Sequence, residues 1–437
     1  MMRSDHKLLL LGGKPIGSCE IVAAAQEKGY YVIVADYLPK EESPAKLIAD
    51  EAWELSTDDI AVLKKLSIAA GVDGVLAGVH EFNLQKMTVL SNELNLPCYC
   101  TEKQQLLCED KSSFKKFCHD YGLNVAQEYS NNNTLLQDPS VYPLAVKPRD
   151  GSGSFGFSKC DTPDDLEEAV RYAETYSVCG EALIEEYINS NALIAQYTAH
   201  NGNIYFCGLT DKYSLPINED GAPIMALQVA PSVHTEEYLC QVDPSMKKML
   251  QALDVAEGPV WLELFYCDGR FVVNEIGYRF GGSLTYYLVK ELYGIDQLDL
   301  LISYTMGQDC VLNYGESTFE GSYVIWPLHL KPGRITIIEG LNWLASQDEF
   351  VAFAQVHHEG EEIEDWGSAK QVFGYLHLKA NSFSALLSFM KEVQQNVRVK
   401  DAHDNDMLFA LFNPNEGSDQ PDFVKEILVG VPNKERQ

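Results

Sequence analysis

Residues 144–159 read LAVKPRDGSGSFGFSK: an apolar run closes on Lys147 and Pro148, then Gly151, Gly153 and Gly156 alternate with Ser152 and Ser154. Glycine lets backbone N–H groups approach an anion closely and a lysine adds a point charge, so this stretch can cradle a polyphosphate. A surface turn has the same composition, and the loop alone does not choose between the two. Lys111, in CEDKSSF, opens a helix, where a solvated lysine is the ordinary reading. In LIEEYI an apolar strand ends on Glu185 and Glu186, followed by Tyr187 and Ile188. Backbone groups there can meet a purine edge, although paired glutamates at a strand end are common. Glu263 in WLELF and Glu275 in NEIGYR stand on two apolar strands joined by Cys-Asp-Gly. An ionised carboxylate among apolar neighbours is costly unless it binds a cation, and two carboxylates plus phosphate oxygens is how Mg2+ is usually held. Arg279 follows four residues after Glu275 and leads into Gly281, Gly282 and Ser283. An arginine there can grip a phosphoryl group or a substrate carboxylate.

The elements that must position these groups are legible from periodicity. KLLLLG, YYVIVAD and VDGVLAG read as strands, separated by the helical stretches SCEIVAAAQEKG and TDDIAVLKKLSIAAG. That alternation is the grammar of a parallel sheet with crossover helices. Gly12, Gly13 and Gly17 in the first turn and Asp36 after the second strand raise a dinucleotide site as an alternative. However, Lys14 and Pro15 break the glycine fingerprint that such a site needs. Beyond residue 105 the texture changes to an amphipathic helix, the glycine loop and a series of strands. Among them, VWLELFY and RFVVNEIGY form a hairpin with Asp268-Gly269 as its turn.

At 437 residues the chain can bury several cores. Its net charge of −31 argues against non-specific nucleic-acid binding and against docking on an anionic membrane. No apolar run is long enough to span a bilayer. Eleven scattered cysteines without a Cys-x-x-Cys support neither a disulfide framework nor a zinc cluster, and reduced thiols in a cytoplasm fit them best. The histidines are equally scattered, and His357 and His358 fall in a segment that reads as a solvated loop.

Taken in order, these pieces resemble the ATP-grasp superfamily from the first strand to about residue 310. The resemblance implies an α/β fold: a Rossmann-like pre-ATP-grasp domain at 1–105 and an ATP-grasp core of two subdomains, one small and one large. The small subdomain, at 106–190, carries the glycine-rich lid; the large one spans 191–320. A small C-terminal α/β module follows at 321–437. By the same resemblance, Lys111 and Lys147 hold the α- and β-phosphates of ATP, and Gly151, Ser152, Gly153, Ser154 and Gly156 form the mobile lid. Glu185, Glu186, Tyr187 and Ile188 form the hinge that reads adenine, and Lys212 reaches the phosphates from the large subdomain as a further catalytic cation. Glu263 and Glu275 are the implied Mg2+ ligands, with Mn2+ as a substitute. Two positions depart from the family pattern. Ala192 replaces a ribose-binding glutamate, and Gly277 replaces the asparagine that often supplies a third metal ligand.

Within the superfamily, YRFGGSLTYYLVKELYGID is similar to carboxylate–amine ligases of the L-amino-acid ligase kind. That likeness implies ADP-forming activation of a small carboxylic acid, an amino acid among the options, as an acyl phosphate that an amine then attacks. Arg279, Gly281, Gly282, Ser283 and Tyr286 are the implied substrate contacts, with Arg279 also catalytic; whether the chain is a homodimer stays open. A carboxylase or purine-pathway ligase of the same fold, and a nucleotide-binding regulator without turnover, are the alternatives.

Overall fold

The computed structural model describes residues 5–131, 134–150, 155–215, 224–312, 314–315, 317, 319–364 and 369–411. The first domain carries four parallel strands, Lys7–Leu11, Tyr31–Asp36, Glu51–Glu54 and Gly74–Ala77, ordered third, second, first, fourth. The four leucines of the first strand are buried on both faces, as a central parallel strand requires. Glu51–Glu54, which the periodicity does not flag, is the edge strand: only one side of it is paired, so its glutamates remain partly exposed. Asp36 is no ribose ligand. Its Oδ2 accepts from the Gly13 N–H and the Ser43 hydroxyl, each at 2.7 Å, and its Oδ1 meets the fully buried Lys46 ammonium at 2.8 Å. The carboxylate that could have read a dinucleotide is committed to folding the first turn.

Two large antiparallel sheets and two two-stranded ribbons follow. The smaller consists of Glu128–Tyr129, Ala182–Glu186, Leu144–Pro148 and Ser158–Cys160 in that spatial order, with helix Leu166–Tyr176 packed on it. The larger has eight strands. Arg270–Gly277 and Gly258–Cys267 form the expected hairpin, in which Asp268 (φ 53°) and Gly269 (φ 74°) supply the two left-handed residues of a tight turn. The sheet continues through Ala192–His200, Asn203–Leu215, Ile224–Ala230, Ser322–His329, Val372–Ala380 and Phe350–Gln355.

The division expected near residue 320 therefore falls between neighbouring strands of one sheet, and that expected at 105 falls inside helix Glu102–Glu109. One hydrophobic cluster runs from Leu8 in the first domain to Leu264 and Tyr286 in the large subdomain. A second gathers Val324, Phe373 and Leu386 under helix Phe383–Asn396. None of the eleven cysteines forms a disulfide. Among the described residues no helix is long and apolar enough to cross a membrane.

Candidate active site

Helix Lys111–Asp120 delivers the first cations. Asp110 caps it by accepting from the Ser113 N–H at 2.7 Å, and the Asp110 carboxylate is itself gripped by Arg149 at 2.9 Å. The Lys111 N–H donates to the Arg149 carbonyl, so the helix start is tied to the chain just beyond Lys147. Lys111, Phe114, Lys115 and Cys118 make one buried stripe along this helix. A lysine at each of two successive turns on a buried stripe is anomalous, and Lys115, which the motif reading missed, was recognisable by that spacing.

Lys115 and Lys147 converge on Glu185. The Lys115 ammonium pairs with Oε2 and the Lys147 ammonium lies 2.5 Å from Oε1. The Glu185 side chain is therefore buried under two lysines, and any adenine contact from this residue falls to its backbone. Burial, reinforced by the Lys115 charge, pushes Lys147 well below its ordinary value. Burial also drops Lys115 to about 8, with the nearby Lys111 adding to the effect against the pull of Glu128. Lysines held so reluctantly charged favour an anion that would share their field. Glu186 ends its strand with its N–H donated to the Gln127 carbonyl, the Tyr187 N–H goes to the Pro143 carbonyl, and Ile188 is buried with Ala126 and Val272. Of the glycine loop, Gly151, Ser152, Gly153 and Ser154 lie outside the described residues. Gly156 has φ 74°, and a Cβ there would stand 2.8 Å from the Pro148 ring, so glycine is required.

The large sheet contributes the opposing carboxylates. Glu263 and Glu275 are direct cross-strand partners. Burial alone would raise Glu263, but the Lys212 ammonium at 2.6 Å from its Oε2, the Asn274 amide and Lys147 outweigh it and hold it below the usual carboxylate range. Glu275 moves the other way, raised by burial and then by the charge of Glu263. Two facing carboxylates with split proton affinities offer oxygens of the kind that suit Mg2+. Among the described residues no third acidic, histidine or cysteine ligand joins them, so a bound ion would complete its shell with phosphate oxygens and water.

Gly277 has a physical cause: a Cβ there would lie 2.2 Å from the Trp261 indole, which fills the space a third ligand would use. The same indole lies under the Arg279 guanidinium at 5.2 Å. Arg279 also reaches into the first domain, its Nη2 2.7 Å from Glu81, while Nη1 donates to the Phe280 carbonyl. Sequence spacing could not have shown this partner, 198 residues away. Gly281, Gly282 and Ser283 form the turn beyond it, with the Ser283 hydroxyl toward Gln228. Tyr286, expected among the substrate contacts, packs into the hydrophobic cluster. It is 4 % exposed and its ring packs edge-on against Phe280, because the helix it begins turns that face toward the first domain. Ala192 is buried at the start of its strand opposite Lys212.

Residues 140–286 match the ATP-grasp domain family. That stretch is similar to an ATP-grasp domain, and it holds Lys147, Glu185, Lys212, Glu263 and Glu275. Beyond that stretch, the fold is similar to solved structures over about nine-tenths of the chain. It superposes on an L-amino acid ligase from Bacillus licheniformis with a TM-score of 0.73 at 20% identity, covering 92% of this chain and 100% of that one. The biotin carboxylase domain of a 2-oxoglutarate carboxylase from Hydrogenobacter thermophilus, whose structure holds MgADP and bicarbonate, gives a TM-score of 0.75 at 17% identity over 90% of both chains. In sequence, a formate-dependent phosphoribosylglycinamide formyltransferase from Synechococcus sp. (strain CC9902) is 24% identical over 289 residues, spanning 64% of this chain and 71% of the relative.

Proposed function

We propose that this ATP-grasp protein is an ADP-forming carboxylate–amine ligase. The observation that carries the reading is the cross-strand pair Glu263 and Glu275, facing four lysines that come from the opposite sheet, its neighbouring helix and, for Lys212, a strand two places along the same sheet. Lys111, Lys115 and Lys147 would bind the phosphates of ATP from the small-subdomain side and Lys212 from the other. Mg2+ held by Glu263 and Glu275 would offset the remaining phosphate charge. In the reaction a carboxylate oxygen takes the γ-phosphorus and ADP leaves. The amine nitrogen then bonds to the acyl carbon, phosphate leaves and the amine gives up a proton. Such chemistry needs orientation, charge stabilisation and exclusion of water rather than a side-chain nucleophile. Arg279, stacked on Trp261, stands beyond Glu275 where it can steady the acyl phosphate, and to do so it would exchange Glu81 for the phosphate oxygens.

A carboxylase is the second reading, favoured by the whole-chain likeness to the 2-oxoglutarate carboxylase domain. Hydroxylamine, offered as the amine, separates the two. A ligase converts its carboxylic acid and ATP to a hydroxamate in step with ADP. ADP release that requires only bicarbonate would replace the ligase by the carboxylase, and nucleotide binding with no ADP for any acid and amine pair would leave a regulator.

A further inference from the structure

We infer that Asn274 is the positioning residue that compensates for the lost ligand place at Gly277, holding Glu263 and Lys147 apart so that both stay available to a metal-bound nucleotide. The inference rests on the nucleotide-site reading above and concerns a residue outside the motif.

In a regular strand, residues 275 and 277 share one face and residue 274 points to the other. Here the pairing runs Glu263 opposite Glu275 and then Leu264 opposite Val273, so Asn274 is an extra residue in a β-bulge. A bulge re-aims the side chain it contains, and this one brings Asn274 onto the face of Glu275. Its carboxamide accepts from the Lys147 ammonium at 2.9 Å and donates to Glu263 Oε1, also at 2.9 Å. The other Glu263 oxygen is held by Lys212 at 2.6 Å. Asn274 thus links a cation on the small sheet to a carboxylate on the large one. It does so beside the point where the Trp261 indole has displaced any side chain at 277.

A neutral bridge suits this place. Lys147 and Glu263 carry opposite charges, and without a spacer Lys147 would be drawn from Glu185 toward Glu263. That closure would remove a phosphate-binding cation and a metal ligand together. The carboxamide satisfies both groups while leaving their net charges in place, which a carboxylate or an ammonium at 274 would not do.

The test is Mn2+ binding to the protein–ADP complex, read from the electron paramagnetic resonance signal of free Mn2+, with no turnover involved. The parent should bind Mn2+ in an ADP-dependent manner. Asn274→Ala should keep its melting temperature within a few degrees and weaken that Mn2+ binding about tenfold or more, the scale of losing a hydrogen bond to a charged group. Asn274→Asp keeps the acceptor for Lys147 but sets a like charge against Glu263, and should also shift Mn2+ affinity while remaining folded. Asn274→Gln, which retains the amide, should recover part of the loss. Parental Mn2+ affinity in folded Asn274→Ala would overturn the inference, as would a fall in melting temperature in all three variants with unchanged affinity. A parent that binds no Mn2+ with ADP would instead overturn the nucleotide-site reading.

Discussion

Raising the pH should weaken nucleotide binding through Lys115. Its ammonium, buried between helix and sheet, holds its proton only to about pH 8. The groups that face it are Glu185 in direct contact, Glu128 and Glu275 as acids, Lys111 and Lys147 as like charges, and the Cys118 thiol. A bound phosphate favours the charged lysine, so its proton affinity is higher in the complex than in the free protein. Affinity is then full below the free value and falls as pH rises through it. With a midpoint of about 8, roughly nine-tenths of the free protein carries the proton at pH 7 and about one-tenth at pH 9. Binding at pH 9 must take up that proton and should be about tenfold weaker, or about 1.4 kcal/mol. Calorimetric titration with a non-hydrolysable ATP analogue, at pH 7, 8 and 9 in buffers of different ionisation heat, reads both the affinity and the proton uptake. Lys115→Met should bind more weakly at pH 7 and show a shallower decline. An affinity that is flat from pH 7 to 9, or an undiminished decline in Lys115→Met, would refute the reasoning.

Lys147→Ala should leave the fold intact by circular dichroism yet lose ADP formation and most nucleotide affinity, measured by fluorescence titration. Glu275→Gln removes a charge from the carboxylate pair and should cost about 10²–10³ in turnover, with a raised requirement for Mg2+ in steady-state assays. Gly277→Ala drives a methyl group into the Trp261 indole, so denaturant unfolding should show a loss of about 1–3 kcal/mol. Tyr286→Phe should leave the KM of ATP, acid and amine unchanged, because that ring is buried in the hydrophobic cluster.

Glu263 and Glu275 stood out in the sequence as charges on apolar strands, and Lys147 as a lysine at a strand end beside a glycine loop, whereas Lys212 was singled out by the family resemblance alone. The parallel first domain was legible because LLLL and VIVA leave few alternatives. What stayed hidden depended on geometry that residue order does not encode. Asn274 reads as an outward residue until the bulge turns it inward. Trp261 reads as ordinary strand filling until its indole is seen against Gly277. Glu81 reaches Arg279 only through the docking of the first domain. Tyr286 shows how an aromatic after a glycine turn is equally at home in a pocket or a core, and the helix that follows buries it.

The eight-stranded sheet limits how this protein can be cut or recombined. Trimming the chain near residue 320, as for a bead on a string, would strip Ser322–His329 from Ile224–Ala230 and leave a row of unpaired N–H and C=O groups along a mostly buried strand. Tyr213, Leu227 and Val229 would lose their apolar cover in the same stroke. Lys212 stands on the strand next to that new edge. A shortened form would therefore seek another strand to pair with, from a second copy if need be. A grafted C-terminal segment would have to bring a matching strand before it could bring any new specificity.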